Sequence, residues 1–147
     1  MPLTIRFATE TDFDLVRSID PHAQNIDPDR IRRKIQGAEI LLAYADGEPV
    51  GLIRFSYFWS TRPYLDLIWF QPHARGKGYG TQLLHFLEQY LVRQGHTHLL
   101  SSSQENEPGP QQWHKNQGFT FCGELKGINL PQEETSEYFY IKSLVPR

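Results

Sequence analysis

The chain has 147 residues and a formal net charge of −2. That length suits a single domain over 1–147, and the near-neutral balance excludes a general nucleic-acid binder, whose surface is basic. Apolar residues make up 39% of the sequence, enough for a core, yet no apolar run reaches the roughly 18 residues that a membrane span needs.

Alternation over 3–7 predicts a first strand. Thr11 and Asp14 read as a capping box, with Asp in place of Glu, opening a short helix. Asp27 as N-cap and Pro28 at the first helical position start a second helix, which runs to Gln36 and stops at Gly37. Strands over 39–44 and 49–57 are joined at Asp46-Gly47, a strong hairpin signal. An apolar strand follows over 64–70. After a glycine-rich turn comes a long helix over 81–94, closed by Gly95. Residues 97–101 form another strand, and the loop behind it is broken by Pro108 and Pro110. A short helix starts at Pro110 and stops before Gly118. Residues 119–125 and 137–144 alternate as the last two strands. The order is an α/β plan, a mixed sheet of about seven strands flanked by about four helices.

Chemistry concentrates in Phe70-Gln71-Pro72-His73-Ala74-Arg75-Gly76-Lys77-Gly78-Tyr79-Gly80-Thr81. Strand, glycine-rich turn, helix is the arrangement that offers unpaired backbone N–H groups to a phosphate. Glycines let the backbone approach a ligand closely, and Arg75 and Lys77 add positive charge, so the expected guest is a pyrophosphate. A dinucleotide fingerprint needs G-x-G-x-x-G, and Gly76-x-Gly78-x-Gly80 has a different spacing. A P-loop needs Gly-Lys followed by Ser or Thr, whereas Lys77 lies between glycines.

This run resembles the acyl-CoA-binding signature of the GNAT superfamily of N-acetyltransferases: Arg or Gln, two residues, Gly, one residue, then Gly or Ala. Arg75, Gly78 and Gly80 match it without a gap. The core of the resemblance covers 64–94, and a weaker match runs through 112–119, where the family has an aromatic residue, Tyr, three residues and Gly-Phe. The resemblance implies a GNAT-like fold and transfer of an acetyl group from acetyl-CoA to a primary amine, on a small molecule, amino acid or peptide, within a ternary complex. It implies that Arg75, Gly76, Lys77, Gly78, Tyr79, Gly80 and Thr81 hold the pyrophosphate. It also implies that the main chain of Ile68, Trp69 and Phe70 holds the pantetheine arm.

An acceptor amine with a pKa of about 10.4 must lose a proton before it attacks. Family members often carry an acid near Asp66, which makes it the first candidate base; a structural hydrogen bond is the plainer role. Glu105 and Glu107 are weaker candidates. The family's leaving-group acid is the Tyr four residues before the Gly of Gly-Phe, and here that position is His114. An imidazole can serve as acid or base near neutral pH, or can simply pack against the cofactor arm. A module that binds acyl-CoA without turnover is therefore the alternative reading.

Other features carry less. His96-x-His98 has strand spacing but no partner at a metal-ligand spacing, so no metal is expected. Cys122, the single cysteine, alternates with Phe119 and Phe121 and is expected to be buried. It forms no internal disulfide, and with an N-terminus lacking a signal-peptide apolar region it suits a cytoplasmic protein. The basic run 30–34 is a solvated helix face or could meet the 3′-phosphate of CoA or an acidic partner. The serines 101–103 either line the cleft beside the 64–70 strand or form a polar strand end. Substrate choice is expected from 20–36, from the aromatic segment 57–62 and from 126–136. Exposed aromatics there fit either an acceptor amine or a homodimer contact, and Arg62 could hold a carboxylate.

Overall fold

A computed structural model describes residues 3–144 of the chain. Its elements are β1 (Thr4–Phe7), α1 (Phe13–Ile19), α2 (Pro28–Gln36), β2 (Ile40–Ala45), β3 (Glu48–Phe58), β4 (Arg62–Phe70), α3 (Tyr79–Arg93), β5 (His98–Gln104), α4 (Pro108–Asn116), β6 (Thr120–Leu125) and β7 (Glu137–Ser143). The strands make one mixed sheet in the order β1-β2-β3-β4-β5-β7-β6, with β4 and β5 parallel. This is the predicted α/β plan. No helix among the described residues is long and apolar enough to cross a membrane. The chain divides into two compact units, one with the residues up to 56 and 67–87, the other with 57–66 and the residues from 88 on. The divisions fall inside β3, β4 and α3.

In the first unit, Val16 and Ile19 of α1 and Ile31 and Ile35 of α2 repeat at helical spacing. They bury against Ile40, Leu42 and Leu52 of the sheet. Asp27 caps α2 by accepting the Asp29 N–H at 2.8 Å, as its sequence predicts. The approach to α1 differs from expectation, because a 3-10 turn over Glu10–Asp12 precedes it and carries the capping box. The capping pair is Thr9 and Asp12, with the Thr9 N–H donating to Asp12 Oδ2 at 2.7 Å, and not Thr11 and Asp14. Arg6 explains the shift, because its guanidinium grips both Asp12 oxygens at 2.7 and 3.0 Å. That grip, more than the Thr9 bonds, holds the Asp12 carboxyl down to about 2.

Gly51 positions the end of β4. A Cβ there would sit 2.5 Å from the Phe70 ring and 2.6 Å from the Trp69 carbonyl oxygen, so only glycine lets β3 pass this closely. The Gln71 N–H then donates to the Val50 carbonyl at 2.8 Å and fixes where β4 stops. Behind β3, Arg54 donates to the buried Asp20 at 2.9 Å.

In the second unit, β5 and β7 pair without a break from His98–Ser143 to Gln104–Glu137. β5 outruns its predicted end because the three serines continue the strand, with Ser101 and Ser103 buried. α4 begins at Pro108, two residues before the expected Pro110. The Gln111 side chain donates to the Gln104 and Glu105 carbonyls and folds the loop back early. Cys122 corrects another expectation, for it is exposed. Phe121 pairs with Tyr140 and Gly123 with Phe139, which are consecutive on β7, so Cys122 is the extra residue of a bulge on an edge strand.

Candidate functional site

β4 ends at Phe70, a single 3-10 turn covers Pro72–Ala74, and α3 starts at Tyr79. Between them Gly76 and Gly78 take φ of 75° and 78°, a region that favours glycine, and nothing lies within 4 Å of where their Cβ atoms would be. Gly80 is helical, so two of the three glycines use this freedom. Among the described residues, the N–H groups of Gly76, Lys77 and Gly78 donate to no acceptor. They lie ahead of the 15-residue helix α3, whose own first N–H groups and dipole present positive charge to the same place.

Arg75 is anchored before any ligand arrives. Its Nε donates to the Phe70 carbonyl at 2.9 Å, and its guanidinium lies 4.4 Å from the centre of the Trp69 ring. Tyr79 packs against Phe70 at 6.0 Å. Trp69, Phe70, Arg75 and Tyr79 are thus one packed group in the first unit. Lys77 and Thr81 are exposed, and Ile68 is half-buried. These features fit a pyrophosphate: unpaired donors, open space and two cations, with no acid in the turn.

The two candidate catalytic side chains, Asp66 and His114, belong to the second unit. Asp66 is half-buried on β4. His114 is 4% exposed. Its Nδ1 lies 2.7 Å from the Pro110 carbonyl, which can only accept, so Nδ1 carries the proton. Nε2 therefore accepts from the Ser101 hydroxyl, also at 2.7 Å. The ring stacks on Tyr140 at 4.4 Å and meets Phe119 edge-on. Burial, only partly opposed by the Pro110 bond, holds the imidazole below its ordinary pKa of 6.5. His114 is a neutral ring with both nitrogens engaged, and donating a proton elsewhere requires breaking the Pro110 bond.

Glu105 and Glu107 are exposed and cap nearby N–H groups, of Ser136 at 2.9 Å and Gln104 at 3.3 Å. His96 packs on Tyr57, while His98 bonds Thr97. A chain absent from the sequence reading joins three strands: the Ser102 hydroxyl donates to Glu137 Oε2 at 2.6 Å and lies 2.7 Å from the Tyr64 hydroxyl. Its only advance signal was the polar run 101–103.

Strand, open turn and helix leave unpaired main-chain donors and two cations in a place suited to an anion. The model of the Acetyltransferase (GNAT) family matches residues 10–119, and the chain belongs to this family of acetyltransferases. Ard1 from Thermoplasma volcanium superposes with a TM-score of 0.82 over 99% of this chain and 100% of that one, at 16% identity. A ribosomal-protein-alanine N-acetyltransferase from Brucella melitensis gives 0.80 over 95% and 99%, at 22% identity. For yncA from Salmonella typhimurium, solved with its cofactor acetyl-CoA, the score is 0.78 over 100% and 96%, at 18% identity. At these identities the likeness is one of fold. No curated protein sequence matches the chain.

Proposed function

We propose that this acetyltransferase, acting as one domain over 1–147, moves the acetyl group of acetyl-CoA onto a primary amine by direct attack in a ternary complex. The observation that carries the cofactor assignment is the open turn of Gly76 and Gly78 with unpaired N–H groups ahead of α3. In this reading Arg75, Gly76, Lys77, Gly78, Tyr79, Gly80 and Thr81 bind the pyrophosphate, and the main chain of Ile68, Trp69 and Phe70 lies along the pantetheine arm. Bound acetyl-CoA supplies an activated thioester. Asp66 accepts the proton that the amine loses, since a carboxylate can take it directly or through water. His114 acts as a positioning residue, tying α4 to β5 through Ser101 and Pro110.

The test is calorimetry with acetyl-CoA, followed by thiol release against a panel of amines, amino acids and peptides. Binding with release is expected. Binding without release from any acceptor favours a cofactor-binding module instead. Asp66→Asn should lower kcat by about 10²-fold or more while leaving acetyl-CoA affinity in place. An unchanged kcat from pH 6 to 9 removes Asp66 from the role.

A further inference from the structure

One face of β5 belongs to α4: Ser101 bonds His114, and Ser103 bonds Tyr140, which stacks on His114. Ser102 points to the opposite face, where its cross-strand neighbour is Phe139. There Phe58 stacks on Tyr64 at 4.9 Å, and Phe139 lies 6.1 Å from each of them. Beside this group opens a pocket of about 490 Å³, lined by Phe58, Trp59, Phe139, Leu125, Gly123 and Glu124. Its wall is apolar, and its single charged residue is an acid.

Trp59 is 83% exposed and holds φ at 53°, with Ser60 at 61°. They are the central residues of the turn that joins β3 to β4, closed by the Thr61 N–H on the Phe58 carbonyl at 3.0 Å. Positive φ at both is the backbone such hairpin turns use, and the turn sets Trp59 at the hairpin tip. A tryptophan so exposed adds nothing to the core. What it does is extend the aromatic wall of the pocket outwards.

The polarity beneath that wall has a direction. Ser102 spends its proton on Glu137, so the Tyr64 hydroxyl donates to Ser102, and the Tyr64 oxygen is made a better acceptor by the carboxylate at the end of the chain. Asp66 follows Tyr64 by two residues on β4, the spacing that shares a strand face.

We propose that the acceptor is a primary amine carried on an apolar body about the size of a phenyl ring. The body occupies the pocket edged by Trp59, and the amine N–H groups turn to the Tyr64 oxygen, with Asp66 next along the strand. Acids and aromatic faces attract the incoming ammonium. A free carboxylate on the substrate is disfavoured, because the lining holds Glu124 and no cation; Arg62 is exposed and is not part of it. This assignment rests on the reading of acetyl transfer to an amine.

The probes are 2-phenylethylamine, L-phenylalanine and ethanolamine, each with acetyl-CoA and the full chain. The expected result is kcat/KM for 2-phenylethylamine at least about tenfold above both others, a difference that one well-buried aromatic contact supplies. Trp59→Ala should raise its KM about tenfold with acetyl-CoA affinity unchanged, and Trp59→Phe should restore most of the loss. Calorimetry with 2-phenylethylamine reads the pocket without turnover. If acetyl-CoA binds but 2-phenylethylamine gives no heat, or L-phenylalanine or ethanolamine is preferred, the pocket assignment is overturned and the transferase reading stands. Failure to bind acetyl-CoA overturns both.

Discussion

The turn at 75–78 and the serine run of β5 both put polar groups together, and they do so in opposite ways. The turn works with main-chain N–H groups, left unpaired and facing open space at Gly76 and Gly78. The serines work with side chains, each pointing to a named partner: Ser101 to His114, Ser102 to Tyr64 and Glu137, Ser103 to Tyr140. Unpaired donors are tolerated where water or an anion can reach them, while buried hydroxyls must be satisfied inside. The first arrangement is suited to receiving a ligand and the second to holding strands and α4 in place.

Three experiments press on that contrast. The largest effect is expected from Gly78→Glu, which brings a carboxylate to the unpaired N–H groups. Acetyl-CoA affinity should fall by at least about 100-fold, or about 2.7 kcal/mol, in a protein that still unfolds cooperatively. Gly78→Ala meets no atom within 4 Å, so it should cost only the left-handed strain of about 1–2 kcal/mol. Tight binding by the glutamate variant would move the anion site elsewhere.

On the buried side, His114 is held neutral when folded because burial lowers its pKa. Below about 6.5 the unfolded ring takes up a proton that the folded ring refuses. Its contribution is therefore whole above that pH and is lost as pH falls. His114→Phe should cost about 1–3 kcal/mol at pH 8, since the Ser101 hydroxyl and Pro110 carbonyl lose their partner. It should also lose less stability than the parent between pH 7 and 5. Parallel urea midpoints for the two proteins across that range would show that His114 does not titrate this way. The smallest effect belongs to Lys77→Ala: a loss of acetyl-CoA affinity below about tenfold, shrinking further in 0.5 M salt because the side chain is exposed.

The sequence was most legible where short-range rules decide. Asp27, Pro28 and Gly37 bound α2 to the residue, and Asp46-Gly47 turns the hairpin between β2 and β3. It was less legible where a distant partner decides. The capping box falls at Thr9 and Asp12, on the 3-10 turn ahead of α1, where Arg6 reaches Asp12. The bulge that exposes Cys122 depends on the register of β7. Ser102 meets a carboxylate 35 residues away, and no spacing rule joins the two. The turn at Trp59-Ser60 contains no glycine, so its left-handed backbone gave no advance sign. The glycines of the turn at 76–80 were visible because their spacing is local. The state of His114 was not, because it depends on which atoms of β5 and α4 meet it.

The hold of Arg75 on the Phe70 carbonyl and the Trp69 ring has a kinetic meaning. The cation at the head of the turn is fixed in position, so little side-chain entropy remains to be lost when a polyanion docks. A preset charge beside an N-terminal helix dipole also draws such a ligand in from a distance, which makes capture fast and sensitive to ionic strength. Salt should therefore slow arrival more than it hastens departure.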